Sequence, residues 1–252
     1  MIYTMSGAEA LARRQVIISP GTGLEHWGTE WFGPRTSRGP GGPGPQATMS
    51  EMAANEVIVS HFHCTTQFQL FVAGEGTLGK KADPIRPLMV QYKDPCSAYG
   101  PVVAGPQGLS FMALRIKTDD SAPVYIDKPG YREKLRPTKR RNWVSDSLKL
   151  STEPIMKFRK EKSVEALYDQ SKIDDEMQAY LVRLGAGQSH EAPDPNKSAG
   201  YYVFVANGTM MQDDREMPLW SMVVVHPGES PYEIRAGEKG LEALILQYPK
   251  ED

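Results

Sequence analysis

HFHCTTQFQLFVAGEG, residues 61–76, is the stretch on which the reading of this chain turns. Phe68, Leu70, Phe71 and Val72 are strand formers, and Gly74-Glu75-Gly76 marks a tight turn at the end of the run. In an extended chain alternate side chains share a face, so His61 and His63 point the same way, and Gln67 and Gln69 keep their parity. Phe62, Phe68, Leu70 and Val72 hold the other parity. Two imidazoles and two amides on one face suit a metal or a polar ligand; the plainer readings are a hydrated interior or a solvent-facing strand side. Buried without partners, such groups cost on the order of 1 to 3 kcal/mol each, so an enclosed face of this kind requires something to satisfy it.

Outward from this stretch the composition is that of a β-rich globular protein. The 252 residues include 23 glycines and 20 prolines, which favours turns and short strands over long helices. With 29 basic against 31 acidic side chains the net charge is −2, which speaks against nucleic acid as a partner. The run VIVSHFHCTTQFQLFVAG at 57–74 is broken by His, Thr and Gln, so no membrane span is expected, and the N-terminus reads as no secretory signal; a cytoplasmic location is expected. Cys64 and Cys96 are too few for a disulfide scaffold and are expected as free thiols.

The segment GPRTSRGPGGPGPQA, 33–47, with five glycines and four prolines, reads as a loop. A second β-rich patch spans 87–116, and the cations of KPGYREKLRPTKRRNW and KFRKEK across 128–162 read as an exposed connection, with a phosphate-binding patch as the alternative. AGPQGLSFMAL at 104–114 returns as AGEKGLEALIL at 236–246, an offset of 132 residues, at which Gly76-Thr77 meets Gly208-Thr209 and Pro95 meets Pro227. Two related β-units follow: residues 1–127 as an N-terminal arm and first barrel, 128–150 as a basic linker, and 151–252 as a second barrel. Val164, Leu167 and Tyr168 in SVEALYDQSKIDDEMQAYL predict a short helix within 163–181.

His61-Phe-His63-x3-Gln67-x6-Gly74 resembles the first motif of the cupin superfamily, HxH followed by Glu and Gly, with Gln67 at the glutamate. DPCSAY at 94–99 is similar to the second motif, with Tyr99 at the histidine. With the duplication, the chain resembles a bicupin, which implies an all-β fold of two tandem jelly-roll barrels. The resemblance also implies a divalent metal (iron, manganese, nickel or zinc) on His61, His63, Gln67 and Tyr99, although glutamine brings no negative charge to the cation. At the same offset the second copy carries Pro193, Pro195, Ala199 and Pro231, with His190 and Tyr232 a slip away, so that barrel is expected to be degenerate and structural.

Three functions are consistent with these residues. The first is a metal-dependent enzyme, of dioxygenase type or an isomerase or lyase, acting on a small oxygen-rich substrate, with Tyr99 and Gln67 as catalytic groups and Tyr99 a proton donor or base. The second is a metal-free pocket that binds a sugar-like or aromatic molecule without turnover. The third is a storage or scaffold protein that dimerises along its β-edges. His26, Trp27, Trp31 and Phe32 read as packing or pocket wall, with His26 a ligand only if its segment reaches the barrel mouth; His226 reads as a turn residue. No GxSxG, P-loop or GxGxxG motif occurs, which removes the sequence argument for a serine hydrolase, an NTPase or a dinucleotide enzyme.

Overall fold

The computed structural model describes residues 1–18, 23–34, 44–119, 122–169 and 175–250, and it divides into two compact units, residues 13–148 and residues 1–12 with 149–252. Most of the 33–47 loop lies outside the described residues, as does part of the 163–181 segment.

Among the described residues, 13–148 form an antiparallel sheet whose main path is Asn142–Val144, Val90–Lys93, Gln67–Leu78, Val102–Arg115, Gln46–Met52, Glu25–Phe32 and Gln15–Ile18, with Val57–Ile58 and Asp83–Ile85 paired to its long strands, and a separate two-stranded sheet of His61–Phe62 with Val124–Tyr125. Strand neighbours that are distant in sequence make the sheet curl as a jelly roll does, rather than as a meander of hairpins. On one face Met52, Phe71, Val102, Leu109 and Phe111 pack with Tyr99 into a core. Phe68, Leu70, Tyr92, Met112 and Leu114, of opposite parity, are also fully buried. The long strand Gln67–Leu78 bends at Gly74, whose φ of +74° and approach to the Gly108 carbonyl leave no room for a side chain; a Cβ there would lie 2.3 Å from that oxygen.

The other unit repeats this plan in the order Ile2–Met5, Met222–Val225, Tyr201–Gln212, Glu233–Gln247, Gln178–Leu184 and Ser163–Ala166. Gly208, at φ +73°, approaches the Gly240 carbonyl as Gly74 approaches that of Gly108. Leu109 faces Gly74 and Leu241 faces Gly208, so the AG..GL repeat holds at its offset, but the true counterpart of Gly208 is Gly74 rather than Gly76. A two-residue slip between the copies separates the two glycine pairs. By this register Gln67, Gln69 and Lys93 correspond to Tyr201, Val203 and Val225, all within an apolar cluster that includes Val205, Met210, Val223, Leu241 and Ile245.

Three expectations need correction. Residues 163–166 are a strand, not a helix: they pair with Gln178–Leu184, Val164 opposite Val182 and Ala166 opposite Tyr180. All four are exposed, so a helical apolar stripe would have had nothing to cover, whereas the neighbouring strand takes up the backbone groups. Among the described residues the α-helices are five residues each, Gly7–Leu11 and Glu153–Lys157. Residues 1–12 are not an arm of the first barrel; Ile2–Met5 completes the sheet of the other unit by pairing with Met222–Val225. Finally, the basic connection is not exposed throughout. Asn142–Val144 is an edge strand on Val90–Lys93, and the Arg141 guanidinium is buried on Asp94, 2.9 Å from Oδ1, because a carboxylate withdrawn from water needs a cation. Among the described residues no helix is long and apolar enough to cross a membrane.

Candidate functional site

The polar face expected from the sequence is assembled by two different devices. Tyr99 and His61 form an isolated antiparallel bridge, Tyr99 N–H donating to the His61 carbonyl at 3.0 Å and His61 N–H to the Tyr99 carbonyl at 3.1 Å. Directly paired residues project to the same side, and the two rings lie 4.5 Å apart. The His61 and His63 rings meet edge to face at 5.3 Å. The second device is lateral register. Gln46 opposes Arg115, Gln67 opposes Lys93, and Leu114 opposes Phe68, so Gln46, Arg115, Gln67 and Lys93 form one row across four strands. Thr48, Ala113, Gln69 and Gln91 form the next row.

Above this floor lies a cavity of about 430 Å³, within the roughly 300 to 1,000 Å³ typical of small-molecule sites. His61, His63, Gln67, Gln69, Tyr99 and Arg115 line its polar end, while Ile17, Ile58, Val102, Phe111 and Tyr125 provide apolar wall. His26 also lines it, its Nδ1 3.8 Å from Glu56 Oε1, so this segment does reach the cavity. His226 follows the strand Met222–Val225, in the other unit, and plays no part.

Hydrogen bonds assign the polar atoms. Arg115 reaches Gln67 Oε1 with Nε at 3.1 Å and Nη2 at 2.8 Å, and donates through Nη1 to Gln46 Oε1. His63 Nδ1 lies 3.0 Å from Asp119 Oδ2; since a carboxylate accepts, Nδ1 carries the hydrogen and Nε2 is the ring's acceptor, and Arg115 Nη2 lies against the ring, 3.2 Å from Nδ1 and 3.3 Å from Nε2. His61 Nδ1 donates to the Val59 carbonyl at 2.8 Å, which leaves Nε2 as its acceptor. The Tyr99 hydroxyl accepts from Gln67 Nε2 at 2.9 Å and Gln69 Nε2 at 3.3 Å. Burial lowers His61 to about 4 and His63 to about 3, helped in both by the Arg115 charge, so both rings are neutral at pH 7. Burial also pushes the Tyr99 phenol up to about 12, and the buried Lys93 amine down to about 7; its Nζ sits 4.7 Å from the Tyr99 ring centre.

Solved structures share this architecture across the whole chain. The Escherichia coli pirin YhhW in complex with nickel(II) matches at 11% identity and a TM-score of 0.58, covering 100% of both chains. Bacillus subtilis oxalate decarboxylase, which has Mn(II) centres, matches at 9% identity and a TM-score of 0.58, over 100% of this chain and 78% of that one. The fold is the cupin fold. A Nostoc punctiforme protein provisionally assigned as a dioxygenase matches at 10% identity and a TM-score of 0.63, over 99% of this chain and 83% of its own. No family model matches the sequence, and no curated protein does.

Because cupin neighbours hold nickel or manganese, the four positions deserve a test as metal ligands. A cation needs a lone pair from each. Gln67 Oε1 is held by Arg115, the same guanidinium lies against the His63 ring within 3.3 Å of Nε2, and the neutral Tyr99 oxygen accepts two amide N–H groups. Only His61 Nε2 remains open among the four. A divalent ion about 4 Å from the guanidinium would meet a repulsion of roughly 8 kcal/mol at an effective dielectric near 20. As arranged, these residues do not fit a divalent cation; among the described residues no three His, Cys, Asp or Glu side chains group as a metal site either. The structure brings His61, His63, Gln67 and Tyr99 together. Arg115, Lys93, Gln46 and Asp119 are the members that sequence reading missed. Parity along LSFMALRI could have placed Arg115 on the Phe111 face, but its neighbours depend on register.

Proposed function

We propose that residues 13–148 bind a small oxygen-rich organic molecule through neutral hydrogen-bonding groups, with the polar floor in the place a metal takes in other cupins. The observation that carries this reading is the state of Tyr99: its oxygen accepts from both Gln67 and Gln69, and its own O–H has no acceptor among the described residues while the side chain lines the cavity. That proton is a donor to a ligand. Two acceptors accompany it, His61 Nε2 and Gln69 Oε1, the latter buried and without a partner among the described residues. One donor and two acceptors match a molecule with a carbonyl or ether oxygen beside hydroxyl groups, as in a sugar or a hydroxylated ring, and the wall formed by Ile58, Val102 and Phe111 suits its apolar face. Arg115 locks Gln67 in one amide orientation and thereby makes Gln67 Nε2 a donor to Tyr99.

The test is a thermal-shift screen of sugars, hydroxy acids and hydroxylated aromatics against the protein and its Tyr99→Phe variant, each first stripped with a chelator. A ligand that stabilises the stripped protein and loses at least tenfold in affinity in Tyr99→Phe supports the reading; ligands that bind only after a divalent metal is restored refute it. A second reading, a metal-dependent enzyme of dioxygenase type, is favoured by the nickel- and manganese-bearing fold neighbours and by the pair of imidazoles on one face. It requires near-stoichiometric iron, manganese, nickel or zinc in the purified protein and its loss in a His61→Ala/His63→Ala variant. Negligible metal in both proteins discards it.

A further inference from the structure

Behind the polar floor, on the opposite side of the histidine segment, two thiols lie together. Cys64 follows His63 and has the other parity; it packs against the cluster of Phe62, Cys96 and Val124 and is not among the residues that line the cavity. Cys96 belongs to the DPCSAY turn that delivers Tyr99, 32 residues further along the chain. The two sulfurs are 3.9 Å apart, the backbones are already joined by the Cys96 N–H to His63 carbonyl bond at 2.7 Å, and both thiols are free. Cys96 adopts φ +57°, a left-handed conformation uncommon for a residue with a side chain; of the residues in this turn it is the one the fold holds in this conformation. Cys64 is partly exposed and Cys96 is buried, so one sulfur can meet a soluble oxidant and the other can only meet its neighbour.

We infer that Cys64 and Cys96 form a reversible thiol–disulfide site, oxidised by a hydroperoxide. The Cys64 sulfur attacks one oxygen of hydrogen peroxide; the O–O bond breaks, water leaves, and Cys64 becomes a sulfenic acid. The Cys96 sulfur then attacks the Cys64 sulfur, the S–OH bond breaks, a second water leaves, and the S–S bond forms. Two thiols and one peroxide give one disulfide and two waters; the thiols are oxidised by two electrons and the peroxide is reduced. Burial, with the Cys96 thiol beside it, raises the Cys64 pKa, so the thiol form prevails at neutral pH and the first step is slow. Closing the bond brings the sulfurs from van der Waals contact to bonding distance, between segments whose backbones are already hydrogen-bonded to each other. The bridge would tie the segment carrying His61 and His63 to the turn carrying Tyr99, both of which line the polar end of the cavity.

The experiment uses the full reduced chain, exposed to hydrogen peroxide at modest excess, with thiols counted by Ellman's reagent under denaturing conditions and the intact mass recorded. Both thiols should disappear with a mass loss of two hydrogens, a single peptide pair should link Cys64 to Cys96 in a non-reducing digest, and dithiothreitol should restore both. Cys64→Ser and Cys96→Ser, checked for folding by circular dichroism, should each keep the wild-type spectrum and lose no hydrogens. Two surviving thiols under conditions that oxidise glutathione completely, oxygen adducts on Cys64 without the mass loss, or disulfide-linked dimers in place of the internal link would each overturn the inference. None of these outcomes depends on ligand or metal in the cavity.

Discussion

Replacing Tyr99 by phenylalanine removes one oxygen from the centre of the polar floor and keeps the ring. That oxygen accepts two amide N–H groups, from Gln67 at 2.9 Å and from Gln69 at 3.3 Å, and both amides are nearly inaccessible. A buried donor left without a partner costs about 1 to 3 kcal/mol, with the longer bond at the low end and water from the cavity able to reach one of the two. Arg115 keeps Gln67 from turning its carbonyl toward the gap, so the donors cannot reorganise freely. The variant should lose about 2 kcal/mol, which for a chain of this length lowers the thermal midpoint by about 4 to 8 °C. Urea unfolding of the wild type, Tyr99→Phe, Gln67→Leu and the double variant measures it; the double-mutant cycle should return a coupling of about 1 kcal/mol between Tyr99 and Gln67. A Tyr99→Phe loss under about 0.5 kcal/mol, or additive single effects, would show that the hydroxyl is not the shared acceptor described here.

Three other outcomes follow from the same geometry. Arg115→Leu frees Gln67 Oε1 and His63 Nε2 and removes the cation over them, so nickel(II) or manganese(II) affinity by titration calorimetry should rise at least tenfold over the wild type, while stability falls by about 3 kcal/mol; equal affinities would show that the guanidinium does not block the site. The unfolded chain protonates His61 and His63 below about pH 6.5, whereas the folded chain holds them neutral down to about 4 and about 3, so the unfolded state binds more protons in that window and stability falls as pH drops through it. Urea midpoints between pH 7 and pH 4 should decline steeply in the wild type and less in a His61→Gln/His63→Gln variant; identical slopes would contradict the burial argument. Gly74→Ala and Gly208→Ala should each cost more than about 2 kcal/mol, because the added Cβ would sit 2.3 Å and 2.1 Å from the Gly108 and Gly240 carbonyl oxygens at positive φ; a neutral effect at either glycine in urea denaturation would remove that strand crossing from the account.

The alternation of His61, His63, Gln67 and Gln69 was readable from the sequence because side-chain parity is a local property of an extended chain, needing no knowledge of neighbours. The AG..GL repeat was readable for a similar reason: a glycine with a carbonyl against it tolerates no replacement, so Gly108 and Gly240 leave matching marks. Local signals failed where partners decide. Val164, Leu167 and Tyr168 have helical spacing, yet 163–166 is a strand, since an edge of Gln178–Leu184 was available to accept it. The first residues join the far end of the chain for the same reason, as Ile2–Met5 pairs with Met222–Val225.

The chemistry of the site divides along the same line. Sequence alone placed two imidazoles and two amides on one side of an extended segment, and the resemblance to the cupin superfamily implied that Tyr99 joins them. Tertiary structure decided what that face can hold, because only the lateral register of four strands places Arg115 between Gln46 and Gln67 and Lys93 on the other side of Gln67. A one-residue slip in any of those pairings would turn a member of the row to the opposite face from its neighbour, and no pattern within a single strand records which pairing is formed.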